Sequence, residues 1–185
     1  MSSDARPAPP ASYAQWSGCL DLFESGLDDA GAIAAMRAGT LGWTSGVAER
    51  FSDRIAAVFN TRLTRCADRL SRELRTGSDE VTLVRALVST RDSLALLHTV
   101  ANLPPFPAVL REHLCASLET YATRSQQSLE DSARHDRSGR IAGIIRNNGL
   151  LRYASQSAPS GIDAPPGATS QPPSAAGSRR RNILA

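Results

Sequence analysis

The sequence contains no lysine; all 21 of its basic residues are arginine. That absence excludes several chemistries. A P-loop needs its lysine on the phosphates, a protein-kinase site needs its strand lysine, and a Schiff base needs an amine. Aromatic residues are also scarce, at 5% of 185 residues against 41% hydrophobic residues. Aliphatic side chains and alanine must therefore fill most of any core. No apolar run reaches the ~18 residues that span a bilayer. No segment alternates with the period of two expected of a half-buried strand.

Cysteine is sparse and badly placed for structural chemistry. Cys19, Cys66 and Cys115 are three in number and far apart, which does not suit a disulfide framework. Free thiols fit a reducing compartment. No CxxC pair occurs, and His98, His113 and His135 have none of the spacings that hold zinc. His113 and Cys115 lie two residues apart, about 200° around a helix, so they face apart and form no dyad. Cys66 and Cys115 fall on or near apolar stripes and read as core residues. We expect no metal, no cofactor and no enzyme activity. The first ten residues, MSSDARPAPP, lack the apolar centre of a secretory signal, so the expected location is cytoplasmic.

What the sequence does contain is helical periodicity between two low-complexity ends. Residues 1–11 hold Pro7, Pro9 and Pro10, and residues 154–185 hold five prolines, three glycines and many Ser and Ala residues. Both segments read as disordered, the second ending in the basic cluster Arg179, Arg180 and Arg181. The folded domain is expected over 12–153. Helices are predicted near 12–25, 29–38 (N-capped by Asp28), 45–75, 79–102, 107–132 and 139–147. The third has apolar residues at 47, 51, 55, 58, 59, 63, 66, 70 and 74, in steps of three and four. The fifth repeats that spacing at 110, 114, 118, 121, 125 and 129, apolar at all of these but Ser125. Gly77 marks a helix stop before Ser78, so the third and fourth helices should form an antiparallel hairpin. The expected fold class is all-α: a three-to-four-helix up-down bundle with short N-terminal helices and a disordered C-terminal tail.

Charge is unevenly spread. Residues 1–43 hold two arginines against five acids, residues 44–153 hold 16 against 12, and residues 154–185 hold three against one. This is a mild asymmetry, not a polybasic arm. At ~100° per residue, seven arginines of the third helix fall within an arc of about 140° beside its apolar stripe. Of these, Arg54, Arg62, Arg65, Arg69 and Arg72 are the candidate partner-binding contacts. Such a face suits an acidic protein, an anionic surface or a phosphate backbone, and it also suits a solvated face whose arginine stems cover apolar neighbours. It lacks the interleaved aromatics of a nucleic-acid surface. The segment Ser138–Tyr153, with Arg140, Arg146 and Arg152 and no acid, is the better nucleic-acid candidate, and it also reads as a small helix docking through its isoleucines.

Three further constellations stand out. Arg91 and His98 share one face of the fourth helix among apolar residues, a candidate buried polar pair that needs partners; Glu112 or Glu119 is the expected carboxylate. Gly39, Gly42 and Gly46 precede a helix N-terminus and read as a connector permitting tight turns, pinned to the bundle by Trp43. Trp16, on an amphipathic helix, is either a core anchor or a partner contact.

The expected function is non-enzymatic: an interaction or scaffold protein that binds a protein partner, or itself as an oligomer, through amphipathic arginine-faced helices. In plan alone, with amphipathic helices, no enzyme motif and a low-complexity tail, the chain resembles the phasins, bacterial polyester-granule surface proteins. That resemblance implies the alternative of a coat protein on a granule or membrane face. A nucleic-acid-associated helical protein is the second alternative.

Overall fold

The computed structural model describes residues 9–40, 42, 44–76 and 79–147. The expectations for residues 154–185, for residues 1–8, for Trp43 and for the Gly77–Ser78 stop lie outside the described residues, as does the 148–153 end of the expected domain.

Among the described residues every regular element is an α-helix: α1 (Tyr13–Ser25), α2 (Asp29–Ala38), α3 (Ser45–Arg75), α4 (Glu80–Ala101), α5 (Ala108–His135) and α6 (Arg140–Asn147). The chain is therefore all-helical, and no helix of the described residues is long and apolar enough to cross a membrane.

Local chemistry sets several of these boundaries. Ser12 starts α1 with a capping box. Its hydroxyl accepts from the Gln15 N–H, and the Gln15 side chain accepts from the Ser12 N–H, so two of the amides left unpaired at a helix start are satisfied. Gly26 ends α1 in the left-handed region at φ 75°, where a side chain is disfavoured. Asp28 then caps α2, its carboxylate 2.9 Å from the Gly31 amide. Asp79 does the same for α4 through both the amide and the hydroxyl of Thr82. Those two bonds hold the Asp79 carboxyl below its ordinary range. Between α5 and α6, the Asp136 carboxylate accepts from the Ile141 and Ser138 amides and the Ser138 hydroxyl, which draws it down to about 2.

The long helices α3, α4 and α5 pack against one another in all three pairings, α1 packs on α2 and α3, and α6 packs on α5. Each long helix contributes its stripe: Phe51, Ile55, Val58, Phe59, Leu63 and Leu70 from α3, Leu83, Leu87, Leu94 and Leu97 from α4, Leu110, Leu114, Leu118 and Leu129 from α5. The few aromatics are concentrated. Trp16 is fully buried, stacks edge-on to Phe51 at 5.8 Å, lies 6.0 Å from Phe106 in the α4–α5 connector, and donates its indole N–H to the Thr40 carbonyl at 3.3 Å. It thus joins α1, α3 and two connectors, which settles it as a core anchor. Pro10, which composition places outside the fold, is buried, and its carbonyl accepts from the Thr40 N–H at 2.9 Å. α6 docks through Ile144, with Ile141 and Ile145 partly covered.

Leu118 is completely buried in the middle of α5. Leu118→Asp places an uncompensated charge there and removes a packed side chain, a loss of ~4 kcal/mol or more against a domain stability of ~5–15 kcal/mol. The expected result is loss of the cooperative urea transition followed by helical circular dichroism. Val81→Asp, at a position 58% exposed in the first turn of α4, should leave that transition within ~0.5 kcal/mol of the parent.

Candidate functional site

α3 carries the arginine face, and the packing of α1 and α2 decides what that face can do. Helix α1 presents the carbonyls of Phe23 and Glu24 in its last turn and carries Asp21 and Glu24; α2 begins with Asp29. All of these point at α3. Arg54 donates to Asp21 Oδ1 at 2.7 Å and Glu24 Oε2 at 3.1 Å. The Asp21 hydrogen bond is the main reason its guanidinium is held above its ordinary range. Arg62 donates through Nη1 to the Phe23 carbonyl at 2.8 Å and through Nη2 to Asp29 Oδ2 at 2.7 Å, while its guanidinium sits 4.8 Å above the Phe23 ring. Its side chain is only 14% exposed. Arg65 donates to the Glu24 carbonyl.

These contacts account for the uneven charge of the sequence. Acids of residues 1–43 meet arginines of α3 inside one molecule. Cationic donors also complement the negative end of the α1 dipole and satisfy carbonyls that the helix leaves unpaired. Farther along, Arg69 donates to the Ser89 hydroxyl on α4 at 3.1 Å. Arg72 is exposed, and no side-chain contact of Arg72 is found among the described residues. The five candidate contacts therefore divide: Arg54, Arg62 and Arg65 join α3 to α1 and α2, Arg69 joins it to α4, and Arg72 faces outward.

Two clefts border α3 on opposite sides. On the arginine side, a polar cleft of about 200 Å³ lies between the end of α1, α3 and α4, lined by Ser25, Arg62, Arg65, Cys66, Arg69, Ser89, Thr90 and Ser93. On the other side, an apolar groove of about 540 Å³ lies between the first half of α3 and the start of α5. Ala48, Ala56, Pro107, Val109 and Leu110 form its walls, with Glu49, Asp53, Ser52 and His113 beside them. Val109 is 78% exposed.

The remaining candidates behave as follows. Arg91 does not meet Glu112 or Glu119. Its ion pair among the described residues is with the adjacent Asp92 at 4.0 Å, and its Nε is buried without a hydrogen bond. His98 is half-buried one face-turn away, and neither residue borders the two clefts. Among the described residues no group of three His, Cys, Asp or Glu side chains is arranged to hold a metal ion. Burial pushes the thiols of Cys19, Cys66 and Cys115 up, away from the thiolate a nucleophile needs. Burial also pushes Tyr121 up to about 12.

No protein-family model, no curated protein and no solved structure matches this chain.

Sequence reasoning missed the apolar groove and the hydroxyl side of the polar cleft. Ser89, Thr90 and Ser93 were legible as small hydroxyl residues at helical spacing in the middle of α4. The groove had no such signal, because its walls come from two helices distant in sequence.

The arginine–carbonyl joint depends on Gly26. A Cβ there would lie 2.7 Å from Arg62 Nη1, at a φ of 75° that other residues rarely adopt. Gly26→Ala is expected to cost ~2 kcal/mol, from the left-handed strain together with displacement of the guanidinium, read as a lower urea midpoint at unchanged slope. Gly18→Ala on the open face of α1, where nothing lies within 4 Å, should instead gain ~0.5–1 kcal/mol.

Proposed function

We propose that this chain is a non-enzymatic interaction protein whose three long helices form an up-down bundle and which binds a protein partner. The observation that carries this reading is the apolar groove between α3 and α5. Leu110 forms its buried floor and Val109 stands 78% exposed at its edge. An exposed branched side chain beside an apolar cleft is surface that a partner helix or extended segment can cover. Glu49 and Asp53 on the rim select a partner segment that sets an apolar anchor next to a basic residue. The outward-facing part of the arginine face, Arg72 above all, supplies a second electrostatic contact to the same or another partner.

The test is a photo-crosslinking residue placed at position 109 and, as a control, at position 81, also exposed but away from the groove, in cells that make the protein. A single polypeptide adduct at 109, absent at 81 and lost in Glu49→Arg/Asp53→Arg, is the expected result. If that polypeptide is a second copy, the protein uses the groove to self-associate. Lipid adducts at 109 would replace this reading with a coat protein on a lipid surface. Identical adduct patterns at 109 and 81 would refute a specific docking groove.

A further inference from the structure

The polar cleft on the opposite side of α3 is independent of the groove and of the function proposed for it. We propose that Arg62, Arg65, Arg69 and Ser89 form a binding site for a phosphate monoester dianion.

Three guanidinium groups line the cleft and no carboxylate does. Among the described residues the trio has one ion pair, Asp29 on Arg62. Glu24 offers Arg65 only its backbone carbonyl, because its carboxylate is turned to Arg54. The charges of Arg65 and Arg69, both exposed to solvent, are thus left without an acid partner beside one small space, an arrangement that attracts an anion. A dianion balances both; a carboxylate would leave one over. A phosphomonoester carries about −1.5 to −2 near neutral pH and presents three strong acceptor oxygens.

The donors are already aimed. Arg65 and Arg69 each use one N–H in the contacts described above, to the Glu24 carbonyl and the Ser89 hydroxyl, out of the five a guanidinium has. Those contacts hold the side chains in place without exhausting them, which lowers the ordering cost of binding. Ser89 accepts from Arg69, which leaves its own O–H available to donate to a ligand oxygen. The Ser93 and Thr90 hydroxyls donate to helix carbonyls and shape the wall instead. The size also fits: the cleft, about 200 Å³ and open to solvent, has room for a phosphate head with its ester body directed outward.

The experiment is a calorimetric titration of the full chain with phenyl phosphate and with inorganic phosphate, at constant ionic strength set by sodium chloride. Saturable one-site binding at pH 7.5 is expected, weakening at pH 5.5 as the dianion takes up a proton (pKa about 6). Similar affinity for both ligands would mean that the phosphate group suffices; tighter binding of phenyl phosphate would mean that the ester body contributes. Arg69→Gln should weaken binding ~10-fold or more, and Ser89→Ala by a smaller factor. Arg124→Gln, exposed on α5 and outside the cleft, should leave it unchanged. If Arg69→Gln does not fold, Ser89→Ala and Arg65→Gln carry the comparison, each with circular dichroism as the fold check. Heats no different from added chloride, acetate binding as tightly as phosphate, or equal losses in the cleft variants and Arg124→Gln would overturn the site.

Discussion

The Arg62 guanidinium is the joint on which the arrangement of this molecule depends. It reaches the last turn of α1, the first turn of α2 and the Phe23 ring from one position on α3. A largely buried guanidinium is costly to place unless each face is matched, and here each face is: a carbonyl and a carboxylate in its plane, an aromatic ring beneath it. Gly26 makes room for it. The consequence reaches the core, because docking α1 on α3 seats Trp16 against Phe51 and Phe106. A sequence poor in aromatics places them where one polar joint controls their burial.

That joint also sorts the surfaces of α3. The arginines nearest α1 are occupied in holding the fold, and their charge is largely answered by acids of the N-terminal segment. Past the end of α1 the acids run out while the arginines continue, and the polar cleft forms there. Elsewhere on the same helix, the start of α5, just after Pro107, leaves an apolar groove against α3. One helix thus has a joint, a cationic cleft and an apolar groove, each set by what the neighbouring helices cover.

Much of the fold was legible in the sequence. Helix positions followed from apolar spacing, and Asp28 as a cap followed from its place before the stripe. Leu63, Leu70 and Leu118 were legible as core residues. The partners of the arginine face were not. A helical-wheel arc tells which side chains share a face, but only the course of the chain tells which part of that face another element covers. The two facts that would have pointed to the answer, a net acidic excess before residue 43 and an arginine excess after it, read as mild asymmetry because charge counted along the sequence carries no distances. Arg91 illustrates the same limit: Glu112 and Glu119 were plausible by position on a neighbouring helix, and packing left them out of reach. Pro10 was assigned to a disordered end by composition, yet a single carbonyl and a flat ring are enough to seat it against Gly39 and Thr40.

The most direct measurement of this account is a double-mutant cycle between Arg62 and Asp29, using Arg62→Met, Asp29→Asn and the pair in urea unfolding. Their 2.7 Å contact, at 14% and 23% side-chain exposure, predicts a favourable coupling of ~1–2 kcal/mol, together with early hydrogen exchange of α1 and α2 in the Met variant. A coupling indistinguishable from zero, with α1 and α2 as protected as in the parent, would contradict the claim that this guanidinium holds the N-terminal helices to the rest of the fold.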